Sequence, residues 1–434
     1  MDVPSILSAC LPATWAEPLT LLAMLLCFGA LVLLARWPIG ISLLVSAWFG
    51  AALNGHLFPA HHLVEGAFAY LDPILMIGAA MIFMRCLADG GALATMGAAV
   101  ERRFGRRPVA LLPLVMLIAM FPGMMTGSST AAVLTAGAMC GSILVGLGLD
   151  RERAAAFVAM AGVLGDVAPP ISIPAMIIGG GLDLPYVGFF VPLAVVAFPP
   201  ALVLAYWLGR PLLRGRPTGG GEAGPERRIP LWRAVTPVLA VAVLMVAPRI
   251  APQVIGDPGL PLIFLLASGL AFVILPRFGL RDAALSGVQQ VLPVLGILVG
   301  VGAFIQVMTL TGARGWLLSL MLGVPTWAMV AAAGISIPLF GAVSAYGSAS
   351  VLGVPFLIAF LGRNEIMTTA ALAGLASLGD LMLPAALAAT LAAQVLGVEN
   401  RLRVLRRCIA PALLVVAWAV LLLATATVVG RWLT

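Results

Sequence analysis

Met125-Thr126-Gly127-Ser128-Ser129-Thr130-Ala131-Ala132-Val133-Leu134 sits between two apolar runs, 108–121 and 131–149. A helix that crosses a bilayer needs about 20 apolar residues, and each run falls short of that. Arginine clusters flank the pair, ERRFGRR at Glu101 to Arg107 and DRER at Asp150 to Arg153. Arginine-rich loops stay on the cytoplasmic side of a membrane. The two clusters therefore share a side, and the unit between them reads as a re-entrant hairpin with the Gly-Ser patch at its tip. Non-helical backbone at membrane depth is tolerated only where protein or a watery cavity covers it. A related stretch, YGSASVLGV, returns at Tyr346 to Val354. A lone Gly-Ser patch would serve close helix packing; its return argues for a ligand.

Hydrophobic residues make up 62% of the 434 and charged residues 9%, with a mean hydropathy of +1.13. A soluble chain carries about a quarter charged residues. The runs are continuous and lack period-two alternation, so they predict an all-α polytopic membrane protein and not a barrel. The net charge of +7 is a topology signal rather than a nucleic-acid footprint, because all 24 basic residues are arginines clustered in short loops. Cys10, Cys27, Cys86, Cys140 and Cys408 have no CxxC spacing, which implies neither a disulfide frame nor a metal site. LSAC at Leu7 to Cys10 looks like a lipoprotein box but lacks a basic n-region and a proper apolar h-region. His56, His61 and His62 fall in an outer loop and read as solvated or interfacial side chains. No Walker motif is present, and no cofactor is expected.

Farther out, the chain reads as two repeats. The first, 1–209, has spans near 18–35, 39–53 and 67–87, the hairpin at about 108–149, a broken span at about 154–178 and a return near 187–208. GDVAPPISIP (Gly165 to Pro174) makes the break, since Pro169, Pro170 and Pro174 each remove a helix donor. A Gly/Pro-rich cytoplasmic linker, 210–230, follows. The second repeat, 231–434, has spans near 231–247, 260–275 and 288–309, a hairpin at about 324–362, a broken span at about 366–398 and a last span near 409–429. Pro73 and Pro293 are 220 residues apart, as are Gly127 and Gly347, while Gly165/Gly379, Asp166/Asp380 and Pro170/Pro384 are 214 apart. Five crossings plus a hairpin make the second copy inverted, with 20 arginines inside and Arg249, Arg314, Arg363 and Arg431 outside. Inverted repeats with paired broken helices point to a secondary transporter with its site at the midplane.

The breaks expose helix ends, amino ends favouring anions and carboxyl ends cations. Ser128, Ser129, Thr130, Ser348 and Ser350 offer hydroxyl oxygens to a hard cation such as Na⁺, and Gly127 and Gly347 let backbone approach a ligand. A carboxylate at bilayer depth costs about 2.5–3.5 kcal/mol on insertion scales. Asp166 and Asp380 are therefore candidates to ligate Na⁺ or accept a proton, the structural alternative being capping of broken backbone N–H groups. Asp72, before Pro73, reads as structural. Two membrane aspartates also raise an intramembrane aspartyl protease, but Val163-Leu164-Gly165-Asp166 and Tyr70-Leu71-Asp72 lack its GxGD and YD motifs. No enzyme is expected.

From Trp37 onward, and most specifically over FPGMMTGSSTAAVLTAGA and GDVAPPISIPAMIIGGGLDLPYVGF, the chain resembles the large membrane subunit of tripartite ATP-independent periplasmic (TRAP) transporters, in the ion-transporter superfamily. The resemblance implies a scaffold and a moving elevator domain in a bacterial inner membrane. It also implies Na⁺-driven uptake of organic acids, with a small membrane subunit and a periplasmic binding protein as partners. Carried over by position, the ion-binding set is Gly127, Ser128, Ser129, Gly165, Asp166, Gly347, Ser348, Ser350, Gly379 and Asp380. The substrate-binding set is Thr130, Ala168, Pro169, Pro170 and Pro384. The second copy, GDLMLP, has one proline where the family commonly has two. A stand-alone proton-coupled organic anion permease is the alternative.

Overall fold

The computed structural model describes residues 16–214, 229–250, 258–276 and 278–433. The LSAC box and most of the 210–230 linker lie outside them. No strand forms among the described residues, and eight helices are long and apolar enough to cross a membrane. The chain is thus an all-α polytopic membrane protein.

Helix α1 (Ala16–Gly29) continues into a π-turn, and α2 (Ile39–Leu53), α3 (Ala60–Phe68) and α4 (Leu71–Asp89) follow. The span expected at 67–87 therefore starts at Leu71, and His61 and His62 lie on a helix of their own. Asp72 is exposed in the first turn of α4, where a carboxylate complements the helix dipole. Gly91, at φ 72°, turns the chain into α5 (Ala92–Phe104). The first hairpin is α6 (Pro108–Thr126) and α7 (Ser129–Gly146). The first broken span is α8 (Arg151–Val167) and α9 (Ile173–Gly180), and α10 (Phe190–Arg214) returns.

The second half runs α11 (Leu231–Ile250), α12 (Gly259–Ile274) and α13 (Leu280–Leu310), then Gly312 at φ 75° opens α14 (Ala313–Leu322). Its hairpin is α15 (Thr326–Phe340) and α16 (Ala345–Ala359). The broken span is α17 (Glu365–Ser377), a 3₁₀ turn Leu378–Leu381 and α18 (Leu387–Val395), followed by α19 (Arg401–Ala424) and α20 (Ala426–Leu433).

The hairpin tips are built alike. In the first, Pro122 lies inside α6, Thr126 donates its hydroxyl to the Pro122 carbonyl (2.7 Å), and Gly127 at φ 61° ends the helix. Glycine takes that left-handed conformation at little steric cost. Ser128 then caps α7, accepting the Ala131 N–H (3.3 Å), and a π-turn follows at Val133–Gly137. In the second, Pro338 lies inside α15, Ser344 caps α16 by accepting the Gly347 N–H (3.0 Å), and a π-turn follows at Ala349–Gly353. Ser128 and Ser344 are 216 residues apart, so the pairing of Gly127 with Gly347 at 220 is corrected. The position matching Gly127 is Val343, and Gly347 lies within the first turn of α16. The glycines misled because either could serve a tip; the serine caps fix the register.

The two sequence-identical LGD segments lie at the ends of two deeply enclosed helices, the first in the last turn of α8 and the second in the 3₁₀ turn that follows α17. Every residue from Ala154 to Val167 on α8 and from Met367 to Ser377 on α17 is buried. Both are rich in alanine and glycine, which lets neighbouring helices pack close on all sides. The long α13 packs on α2 and α3 through glycines, Gly296 against Gly40 and Gly302 against Gly66. Tyr70, between α3 and α4, ties this frame to the break by donating to the Ile177 carbonyl (2.9 Å). Arg314 donates to the Gly181 carbonyl (2.7 Å) beyond α9, and Arg363 to Leu423 (2.6 Å) in the last turn of α19. Two arginines expected on the outer side thus satisfy carbonyls left open at helix carboxyl ends.

Candidate functional site

The tips and the second break meet around a cavity of about 300 Å³. The first tip contributes Ser128, Thr130 and Ala131, the second Ser344, Ala345 and Tyr346, and the break Gly379 and Asp380. Gln290 and Pro293 of α13 complete the wall. Helices α7 and α16 therefore both begin at this space. The first N–H groups of a helix have no intrahelical acceptor, and each serine cap takes only one of them. The rest give the cavity two amino-terminal patches of positive partial charge.

Against these stand two carboxylates. Ser129 donates its hydroxyl to Asp380 Oδ2, joining the first tip to the second break. Asp166 lies deeper, 1% exposed, and neither of its carboxylate oxygens has a hydrogen-bond partner. Ser377 is beside it but donates its hydroxyl to the Ala373 carbonyl (3.0 Å). Asp380 and Tyr346 are within electrostatic reach of Asp166. The Tyr346 hydroxyl donates to the Gly127 carbonyl (3.0 Å), bridging the tips. A buried charge persists only when paired, so Asp166 needs a proton or a cation.

Glycine lets these parts close. A Cβ on Gly379 would lie 2.5 Å from the Gly341 Cα, and one on Gly165 would lie 2.6 Å from the Met120 carbonyl oxygen. Each Gly-Asp pair thus presses on its own hairpin.

Of the expected residues, Ser128, Ser129, Thr130, Asp166, Gly379 and Asp380 gather at or beside the cavity, and Gly127 meets Tyr346 across it. The others do not line it. Ser348 and Ser350 are buried in α16 and donate to the Ala345 (2.8 Å) and Gly347 (2.9 Å) carbonyls, and Gly347 gives its N–H to the Ser344 cap, so the polar groups of all three are used within α16 and its cap. Ala168, Pro169 and Pro170 are buried behind Tyr186, whose hydroxyl accepts the Ser172 N–H (3.0 Å) and donates to the Pro170 carbonyl (3.2 Å). Pro384 is exposed and is not part of the lining, although its neighbour Ala385 is. Sequence reasoning missed Gln290 and Tyr346. Gln290 carried a signal, an amide at the start of an apolar span; Tyr346 stood next to the serine patch. On the exposed side of α3, His61, His62 and Glu65 place ligand atoms within 4.8 Å of one another, apart from this site.

The caps give a direct check. Ser128→Ala and Ser344→Ala should each lower stability by about 1 kcal/mol, read as unfolding of the purified protein in detergent. Unchanged stability in both would remove the caps from this account.

Residues 12–209 match the model of the Na⁺/H⁺ antiporter family. Across the whole chain the fold is similar to that of the Alcanivorax borkumensis YdaH transporter, described as having an unusual topology, with TM-score 0.62, 16% identity, and 99% of each chain covered. It is also similar to Neisseria gonorrhoeae MtrF, described with a class of antimetabolite efflux pumps, with TM-score 0.61, 12% identity, and 98% of this chain and 97% of that one covered. No curated protein matches the sequence. The likeness is one of transporter fold. It corrects the TRAP assignment and the partners drawn from it: the proteins whose fold matches over the whole chain are described as a transporter and as one of a class of efflux pumps, not as TRAP components.

Proposed function

We propose that this chain is a stand-alone, proton-coupled secondary transporter of a small organic anion in a bacterial inner membrane. The observation that carries this reading is Asp166, a fully buried carboxylate without a hydrogen-bond donor, beside a cavity onto which two helix amino ends open. The amino ends and hydroxyls would hold the anion; Asp166 would take up and release the proton. Asp380, on the wall and held by Ser129, would couple the two, since its charge acts on Asp166 and its position on the substrate. Similarly built tips and breaks in the two halves support an inverted repeat that moves as an elevator, with hairpins and broken spans carrying the site.

Na⁺ coupling has one specific support, the match of residues 12–209, including Asp166, to the Na⁺/H⁺ antiporter family. The experiment reconstitutes the protein in liposomes with a trapped pH dye and adds a panel of small mono- and dicarboxylates without Na⁺. Proton movement that follows a carboxylate into the vesicle is the expected result. Movement that requires Na⁺ would transfer the reading to the second ion. No ion movement with any carboxylate, in vesicles proven to contain folded protein, would sink both.

A further inference from the structure

A second hollow, of about 280 Å³, lies among the arginine clusters at the other end of α8 from Asp166. Arg153 of α8, Arg210 of α10, and Arg406 and Arg407 of α19 line it together with Trp207. Four guanidinium groups brought from three helices repel one another unless an anion lies between them. The protein itself supplies little compensation. Glu152 pairs with Arg403 (3.3 Å) and Arg407 (3.7 Å), and among the described residues no carboxylate pairs with Arg153, Arg210 or Arg406. The planar fork of arginine matches the oxygens of a phosphate.

We propose that this hollow binds a phosphate group at the cytoplasmic membrane surface, supplied by the headgroup of an anionic phospholipid. Its depth fits that source. Trp207 is 44% exposed at its rim, and tryptophan concentrates where headgroups meet water. The same helices expose apolar side chains beside it, Leu202 and Val203 on α10, and Ile409 and Leu413 on α19, along which acyl chains can lie. Basic pockets between helices on the cytoplasmic side are suited to such headgroups. A bound lipid would bridge α8, α10 and α19, the helices around the first break.

The test is the unfolding midpoint of the full-length, delipidated protein in detergent, titrated with phosphatidylglycerol, phosphatidylcholine or inorganic phosphate. A ligand that binds only the folded state raises the midpoint with its concentration. Phosphatidylglycerol should raise it saturably and phosphatidylcholine should not. Arg210→Gln/Arg406→Gln should weaken the response by about fivefold per arginine removed, while Arg102→Gln/Arg103→Gln on α5, with the same loss of charge, should titrate as the parent. Equal stabilisation by inorganic phosphate, with the same arginine dependence and no further gain from phosphatidylglycerol, would uphold the phosphate site and assign it a soluble source. Equal responses to the two lipids, or no response to either lipid or to phosphate, would overturn it. That comparison needs only the parent protein, so the proposal can fail even where the double variant does not fold.

Discussion

Asp166→Asn should leave the protein folded and at least as stable as its parent, while carboxylate-driven proton movement in liposomes falls to the level of empty vesicles. The two halves of this result have separate causes. An ionised carboxylate does not persist there without a partner, so in the absence of a cation Asp166 is the uncharged acid, and the roughly isosteric amide, also uncharged, is buried at a comparable cost of about 1–3 kcal/mol. The packing around α8 has no reason to change, because every residue from Ala154 to Val167 is already enclosed. Transport fails for a different reason, since an amide does not take up a proton at ordinary pH and carries no negative charge to balance a cation. Asp380→Asn should also stop transport, but Ser129 can donate to an amide oxygen as well, so the tip should stay in place. Asp72→Asn, at an exposed helix start, should transport as the parent does. Thermal unfolding of the Asp166 variant against Na⁺ and choline then assigns the ion. A Na⁺-specific rise in the parent that the variant lacks would identify a cation site. Parental transport by Asp166→Asn would remove this residue from the mechanism.

The sequence was legible where polarity was out of place. Asp166 and Asp380 stood out because charge is costly in lipid, and the serine patches because they interrupted apolar runs; the cavity draws on both patches and on Asp380, with Asp166 buried within electrostatic reach of it. What was not legible depended on direction. Ser348 and Ser350 belong to the same patch as Ser344, yet their hydroxyls turn back onto α16, and no spacing argument separates a cap from a serine one turn later. The prolines of the first break fit ligand surroundings by type, but Tyr186, eighteen residues downstream of Ala168, closes over that loop. Gln290 stood out only as an amide at the start of an apolar span; that it lines the same cavity as both tips is a tertiary fact. The partner subunits were inferred from resemblance alone, and the whole-chain fold neighbours removed them.

Gly379→Ala should be among the most damaging single changes that leave the cavity's polar groups intact. A methyl group at this position would lie 2.5 Å from the Gly341 Cα, a contact with backbone that no rotamer change relieves. Either the 3₁₀ turn Leu378–Leu381 or the start of the second tip must move. Overpacking of this kind costs about 1–3 kcal/mol, read as a lower unfolding midpoint. The functional loss should exceed what that midpoint explains, because Asp380 follows Gly379 directly and would be carried away from Ser129. Gly341→Ala meets the same contact from the other side, lying 2.5 Å from the Gly379 Cα, and should behave alike. Once either alanine has forced the two segments apart, the second finds space already opened. The double variant should therefore cost less than the sum of the singles, as expected for residues that share a contact. Additive costs would mean that the two glycines act independently, and that the tip and the break are not held together by this approach of backbone to backbone.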